Sequence, residues 1–520
     1  MAATLAAHGV EYLFGLPGGE IVAFVDACRR AGIRFLLTGH EASAAWMAQT
    51  VGQITGIPGV CAATLGPGAM NLATGVANAF LDRAPLLAIT AQIPASAFAT
   101  MTHQRLPLNE IFSPITKRSV ALDEGDTGAT LLSAMQLAAA PRPGPVHLAI
   151  PSDIAMRDCR FPPRIPANSQ ATPLEPHLAA EIAGRINAAQ RPLVIVGLGA
   201  TPACAPAVRM FVARLQAPCL VTPKAKGILP EDDALFLGVA SGMAIDRDVL
   251  ETIRAADLII GIGFDPVECD KTWFAAVPFV SIDTAAMAAG DYRPVEAVGD
   301  IAGLLFSISA AIPAPRPWPS GLLAERRQAI MRISAESGNG FSPLRVIEAL
   351  RAVFPREGIV TCDVGSHKLL MGQFWRSYEP DTFFVSNGLS GMGYGLPAAV
   401  AAQLVHSGRP VMSVVGDGGM LMMIHDLALI RELGLPIVIV VFCDRSLSLI
   451  RVSEERRGFP PYGVDFSPPD FAAIGRAFGI CGIRAAAMQE ISAAVETALS
   501  ARQALLLEVP IDYREYYELV

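Results

Sequence analysis

The sequence predicts an α/β protein made of three doubly wound domains, each built on a parallel sheet. Three observations carry that expectation. Strand-like apolar runs alternate with helix-like patterns from end to end, the order that produces βαβ crossovers. An internal repeat links the two ends of the chain: PGVCAATLGPGAMNLATGVANAFLDRAPLLAITAQ near the start and RPVMSVVGDGGMLMMIHDLALIRELGLPIVIVVFC near the end. Each reads as a strand, a GxGxM turn, a helix, a proline and a strand, with nearly equal spans from Gly66 to Pro85 and from Gly416 to Pro436. Between them, RPLVIVGLGA (Arg191 to Ala200) and a strand after Pro218 repeat the plan more loosely. Finally, two proline-rich stretches, Phe161 to Pro176 and Ile312 to Gly321, read as linkers. They bound domains at 1–160, 175–312 and 322–520, all of ordinary size.

Composition narrows the function. With 520 residues, 52% of them hydrophobic, the chain can bury several cores. A net charge of −8, 17% charged residues and no long basic run argue against a nucleic-acid partner. The nine cysteines include no CxxC, so neither a disulfide framework nor a zinc site is signalled and the expected compartment is cytoplasmic. The N-terminus lacks the basic start and apolar core of an export signal, and no run of about 18 apolar residues suggests a membrane span.

Chemistry gathers in the C-terminal repeat. The strand from Val411 to Val415 breaks at Gly416-Asp417-Gly418-Gly419, a helical pattern follows, and a strand from Pro436 to Phe442 leads to Cys443-Asp444. Parallel strands joined by one right-handed crossover often lie side by side, which brings Asp417 and Asp444 out on the same carboxyl edge. Gly418 and Gly419 let backbone N–H groups approach an anion, and the helix start favours phosphate. Paired carboxylates would repel a phosphate unless a divalent cation bridged them, and an all-oxygen site suits Mg2+. The residues therefore read as a metal-bridged diphosphate site. A plain strand-to-helix turn with two solvated aspartates is the competing reading.

This run resembles the cofactor signature of thiamine diphosphate (ThDP) enzymes, a GDG followed by an Asn pair. The resemblance implies that Asp417, Asp444 and the Ser446 backbone carbonyl hold the metal, Asp444 offering a carboxylate where the family has an amide. HEASAAWMA from His40, with TGIPGV and GPGAMNLATG, closely resembles the pyrimidine-binding domain of acetolactate synthases. By that likeness Glu41 hydrogen-bonds the cofactor's aminopyrimidine ring, and FGLPGG (Phe14 to Gly19) is the glycine-rich active-site loop. His103 and Gln104 in THQRLPLNEIFSPITK fall on pocket-lining positions, an ordinary loop histidine being the alternative for His103. In VTCDVGSHKLLMGQFW, Gly365, Ser366 and His367 match a second diphosphate loop. In SNGLSGMGYG, Ser390 would offer a backbone carbonyl to the exocyclic amino group and Met392 an apolar support beneath the cofactor.

The resemblance covers essentially all of the chain and implies a ThDP- and Mg2+-dependent enzyme of 2-oxo acids, decarboxylating one and ligating the remainder to a second carbonyl. Decarboxylases of the pyruvate decarboxylase type use a His-His pair and an acid where Gly19 stands, and neither is present. Aldehyde release, and a non-catalytic ThDP-fold binding or regulatory subunit, remain the alternatives. After the strand Leu258 to Ile262, GFDPVECDKTW is closer to the FAD-free catabolic acetolactate synthases than to the FAD-dependent ones, and Gly197-Leu198-Gly199 lacks a third glycine. No FAD is expected, and the middle domain reads as a brace. A homodimer or homotetramer is implied, with active sites at the dimer interface. The charged run from Arg451 to Gly463 reads as a mobile lid, a merely solvated charge run being the alternative.

Overall fold

The computed structural model describes residues 1–123, 127–155, 175–240, 242–268, 276–287, 291–335 and 341–519. Phe161 to Leu174 of the first linker, Cys159, Cys269 and the end of the GFDPVECDKTW stretch lie outside the described residues.

Three six-stranded sheets organise those residues. The first contains β1 (Tyr12–Leu16), β2 (Arg34–Leu37), β3 (Gly59–Ala63), β4 (Leu86–Gln92), β5 (Arg118–Ala121) and β6 (Pro145–Pro151) in the order β2-β1-β3-β4-β6-β5. The second contains β7 (Pro192–Val196), β8 (Cys219–Val221), β9 (Phe236–Val239), β10 (Leu258–Ile262), β11 (Phe279–Asp283) and β12 (Val295–Val298), in the order β12-β11-β10-β7-β8-β9. The third contains β13 (Ile359–Cys362), β14 (Phe383–Val385), β15 (Val411–Gly416), β16 (Ile437–Cys443), β17 (Cys481–Arg484) and β18 (Leu505–Pro510), ordered β14-β13-β15-β16-β18-β17. All three are parallel α/β sheets. Counted within each sheet, the first and third orders are identical, so the internal repeat extends from sequence to topology. The middle sheet is wound differently, reversing between β7 and β10 as dinucleotide-binding folds do.

Strands covered on both faces read as continuous apolar runs, and β4 and β16 are buried at every position. Each fully buried Val or Ile of β16 contributes about 1.5–3 kcal/mol relative to exposure. By its contacts the chain divides into two compact units: Met1–Asn168 with Ser386–Gly408 and Gly419–Ile437, and Ser169–Val385 with Arg409–Gly418 and Val438–Val520.

In the first unit, the helix Glu41–Thr55 is buried along most of its length, which is why its sequence is small and apolar all round rather than striped. It packs against the helices Pro67–Leu81 and Gly395–Val405. Close approach demands glycine at the contacts. A Cβ on Gly75 would lie 2.4 Å from Ala45 Cβ, and one on Gly59 1.8 Å from the Ala48 carbonyl oxygen.

In the second unit, a fully buried Lys226–Glu231 ion pair of 2.6 Å follows β8. Burial pulls the lysine down and pushes the glutamate up from their ordinary values, each partly opposed by its partner. The second linker is not a free tether. A helix begins at Ser320, and Trp318, 3% exposed, donates its indole N–H to the Pro192 carbonyl at 2.7 Å. The charged run from Arg451 begins inside the helix Ser448–Arg456, where Arg451 pairs with Asp465 at 2.7 Å, and Phe459 and Tyr462 are exposed beyond it. Among the described residues, no helix is long and apolar enough to cross a membrane.

Candidate cofactor site

In the second unit, β15 and β16 are neighbours, so their carboxyl ends deliver Asp417 and Asp444 to one edge. Asp417 is 3% exposed and opens the helix Asp417–Met422. Its Oδ1 accepts the Gly418 N–H at 2.8 Å, and its Oδ2 the Arg445 N–H at 2.8 Å, which ties the two loops together. Arg445 adopts a left-handed conformation, φ 62°, a strain of the kind that clusters at functional sites. Asp444 accepts from Ser446 N at 3.2 Å and from Ser448 Oγ at 2.7 Å. Burial first, and the Asp444 charge second, push the Asp417 carboxyl up to about 7; Asp444 is also raised, chiefly by burial. The Asp444 charge thus opposes ionisation of the buried Asp417, and a divalent cation between two such carboxylates would reverse that effect.

Ser446 forms an isolated antiparallel bridge with Asp465. The bonds of that bridge run from Leu447 N to the Val464 carbonyl and from Phe466 N to the Arg445 carbonyl. The bridge's bonds thus do not use Ser446's own carbonyl. Gly365, Ser366 and His367 follow β13 at the start of the helix Ser366–Phe374. His367 lies across both loops: a Cβ on Gly365 would be 2.8 Å, and one on Gly416 3.2 Å, from its ring. Burial lowers its pKa to about 4, while its ring is hydrogen-bonded to the Asp363 backbone. Ser366 Oγ and His367 Nε2 are both buried with no hydrogen-bond partner. Unpartnered buried polar atoms of this kind fit an anion; a bound phosphate would favour the doubly protonated ring. The donors present therefore fit a magnesium diphosphate.

In the first unit, Glu41 follows β2 as the first residue of its helix, with His40 capping that helix by accepting the Ala42 N–H at 3.1 Å. Its carboxylate is 4% exposed; Oε2 accepts from Asn71 Nδ2 at 3.0 Å, and Oε1 lies 3.1 Å from where a Gly68 Cβ would stand. Gln104 has φ 53° and folds over Gly66, where a Cβ would meet its own at 2.8 Å. His103 beside it is exposed. Ser390 also has a left-handed φ, 53°, and donates its hydroxyl to the Asn387 carbonyl at 3.0 Å. Met392 sits half-buried in the turn before the helix Gly395–Val405, and Gly419 lies within the helix that Asp417 opens.

Two residues near Glu41 escaped sequence reasoning. Asn71 positions the glutamate from one turn inside the next helix, and its only signal was its place within GPGAMN. Glu20 accepts the Thr64 hydroxyl at 2.9 Å. It reads from sequence as an ordinary acid at a helix start, and nothing local reveals that Thr64 will meet it.

The fold and these loops define the ThDP-enzyme class, and the comparisons agree. The chain matches three family models: thiamine pyrophosphate enzyme, N-terminal TPP binding domain, over residues 1–111; central domain, over 179–308; and C-terminal TPP binding domain, over 363–509. Its relatives narrow the class. It is 31% identical to an acetolactate synthase of Bacillus subtilis (98% of this chain, 92% of the relative) and 32% identical to the acetolactate synthase isozyme 2 large subunit of Escherichia coli (98% and 94%). The catabolic acetolactate synthase of Raoultella terrigena is 30% identical (98% and 94%). The chain belongs to the thiamine pyrophosphate enzyme family, in its acetolactate synthase-like branch.

Proposed function

We propose that this enzyme uses ThDP and Mg2+ to decarboxylate a 2-oxo acid and then ligates the remaining fragment to a second carbonyl compound. The observation that carries the metal requirement is the Asp417–Asp444 pair, brought to one edge with Asp417 buried and Asp444 half-buried, and with the Arg445 N–H tying the two loops. Asp417, Asp444 and the Ser446 carbonyl would hold Mg2+. Gly418, Gly419, Gly365, Ser366 and His367 would hold the diphosphate, Ser390 and Met392 the ring system, and Glu41 a proton at the aminopyrimidine. When bound, the cofactor supplies a nucleophilic thiazolium carbon and the electron sink for decarboxylation. The chain's own residues orient and exclude. Glu41 keeps its carboxylate aimed through Asn71, and Gln104, a neutral donor locked over Gly66, can orient an acceptor carbonyl; holding two reactants together offsets a large entropic cost.

The middle domain supports an FAD-free reading. Glu268 is buried, and its Oε2 accepts the Leu198 N–H of the GxG turn at 2.8 Å. Gly197 N–H and Gly199 N–H go to the carbonyls of Ile262 and Gly263 at 2.9 and 2.8 Å. A dinucleotide's pyrophosphate would find these turn donors already engaged. We read the assembly as a homodimer or larger, since the likeness places Glu41 and Asp417 on one cofactor across a subunit interface. Cytoplasmic residence follows from the same likeness and the scattered thiols.

Product analysis tests the function: pyruvate alone and with a panel of 2-oxo acids, with ThDP and Mg2+ added. Hydroxy-keto products are expected. Aldehyde as the sole product across the panel would replace ligation with simple decarboxylation.

A further inference from the structure

The order of the first sheet reverses between β1 and β3, and ligands of open α/β sheets bind in the crevice outside the carboxyl ends at such a point. β1 runs into Pro17-Gly18-Gly19-Glu20, and β3 into Thr64-Leu65-Gly66, so the two loops face each other there. Glu20 is half-buried and held by the Thr64 hydroxyl at 2.9 Å. Thr64 is itself wedged: a Cβ on Gly18 would come within 2.4 Å of its Oγ1, and one on Gly68 within 2.8 Å of its Cγ2. Gly68 in turn abuts the Glu41 carboxylate at 3.1 Å, and Gln104 covers Gly66 at the end of the row. A second carboxylate thus stands in the crevice that Glu41 and Gln104 line.

Its charge is not neutralised within that row. Thr64 and Asn71 are neutral donors, already given to Glu20 and Glu41. Arg105, adjacent to Gln104, is exposed and donates to the carbonyls of Phe98 and Ala99 at 3.0 and 3.4 Å. A 2-oxo acid entering as acceptor brings its own carboxylate against Glu20, whereas an aldehyde does not. The donor 2-oxo acid meets the same repulsion but is relieved of it when carbon dioxide departs.

We propose that Glu20 is a specificity-determining residue that sets the acceptor's charge class, disfavouring a second 2-oxo acid and favouring a neutral aldehyde. The inference rests on the proposed function and adds to it the chemistry of the second substrate. The ligation forms one carbon–carbon bond from the donor fragment to the acceptor's carbonyl carbon, whose oxygen takes up one proton, so no oxidant or reductant enters.

The test uses the full chain with ThDP and Mg2+, pyruvate as donor, and equal concentrations of 2-oxobutyrate and propanal as competing acceptors. These acceptors share a carbon skeleton apart from the carboxylate. Carbon dioxide release is followed alongside the two products, which are read by mass spectrometry without acid quenching. The product ratio is compared among wild type, Glu20→Gln, Glu20→Ala and Glu20→Lys, so that any loss common to both products cancels. The wild type should favour the propanal product. Both neutral variants should shift the ratio toward the 2-oxobutyrate product by about tenfold, the factor expected for unit charges roughly 10 Å apart at an effective dielectric of about 20. Glu20→Lys should shift it further, an order by charge that a purely structural role would not produce. Carbon dioxide release with ratios within twofold across all four proteins overturns this inference alone. No release by wild type overturns the proposed function, and this inference with it.

Discussion

Replacing Asp444 by Asn isolates the electrostatics of the proposed metal site, because the amide keeps an oxygen for Mg2+ while removing the charge that opposes Asp417. In the protein as it stands, Asp417 is raised to about 7 by burial and, next, by Asp444. A carboxylate raised in this way is protonated below that pH, and only its ionised form binds metal. Affinity for Mg2+ with ThDP should therefore be level above pH 7 and fall about tenfold per pH unit below it, one proton being taken up for each metal released. Like charges roughly 5–8 Å apart at an effective dielectric near 20 repel by about 2–3 kcal/mol, or about 1.5–2.5 pH units. Because burial remains and is the larger cause, Asp444→Asn should lower the break by about one to two units without returning it to the ordinary aspartate value. Isothermal titration calorimetry of ThDP at saturating Mg2+, from pH 5.5 to 8.5, measures both curves. A wild-type affinity that stays flat through pH 6, or a break at the same pH in both proteins, would refute the reasoning.

Three further outcomes are expected. Glu41→Gln should retain the fold and much of the cofactor affinity yet slow proton exchange at the thiazolium carbon by about 10²–10⁴-fold, the usual worth of a positioned proton donor; exchange at wild-type speed in quenched NMR would remove Glu41 from that role. Glu231→Ala should cost about 3–5 kcal/mol in urea denaturation, since it strands the fully buried Lys226 ammonium; a loss under 1 kcal/mol would show that the pair is dispensable. Mixing Glu41→Ala with Asp417→Ala subunits should restore part of the activity that each lacks, and an active monomer in sedimentation would exclude shared sites.

The sequence alone determined the parts whose signals are local. Apolar runs placed the strands, because a strand buried on both faces needs nothing else. The GxGxM turns marked the repeat, and the two aspartates were legible as partners because adjacent parallel strands must deliver their following residues to one edge. The helix bearing Glu41 was visible in its small apolar residues, which close packing on Gly75 requires. Tertiary structure decided whatever depends on which distant residues meet. The middle sheet's different order cannot be read from strand and helix lengths, since the same alternation folds into either winding. Glu268 answers a backbone N–H of the GxG turn 70 residues away, and Trp318, in a stretch whose prolines suggest a tether, caps a carbonyl 126 residues away. Glu20 shows the limit most clearly. In sequence it is an acid at the start of a short helix, while in the fold it is held by Thr64, 44 residues on. Periodicity and spacing report neighbours along the chain, whereas the charge of a crevice is set by the neighbours that topology brings across it.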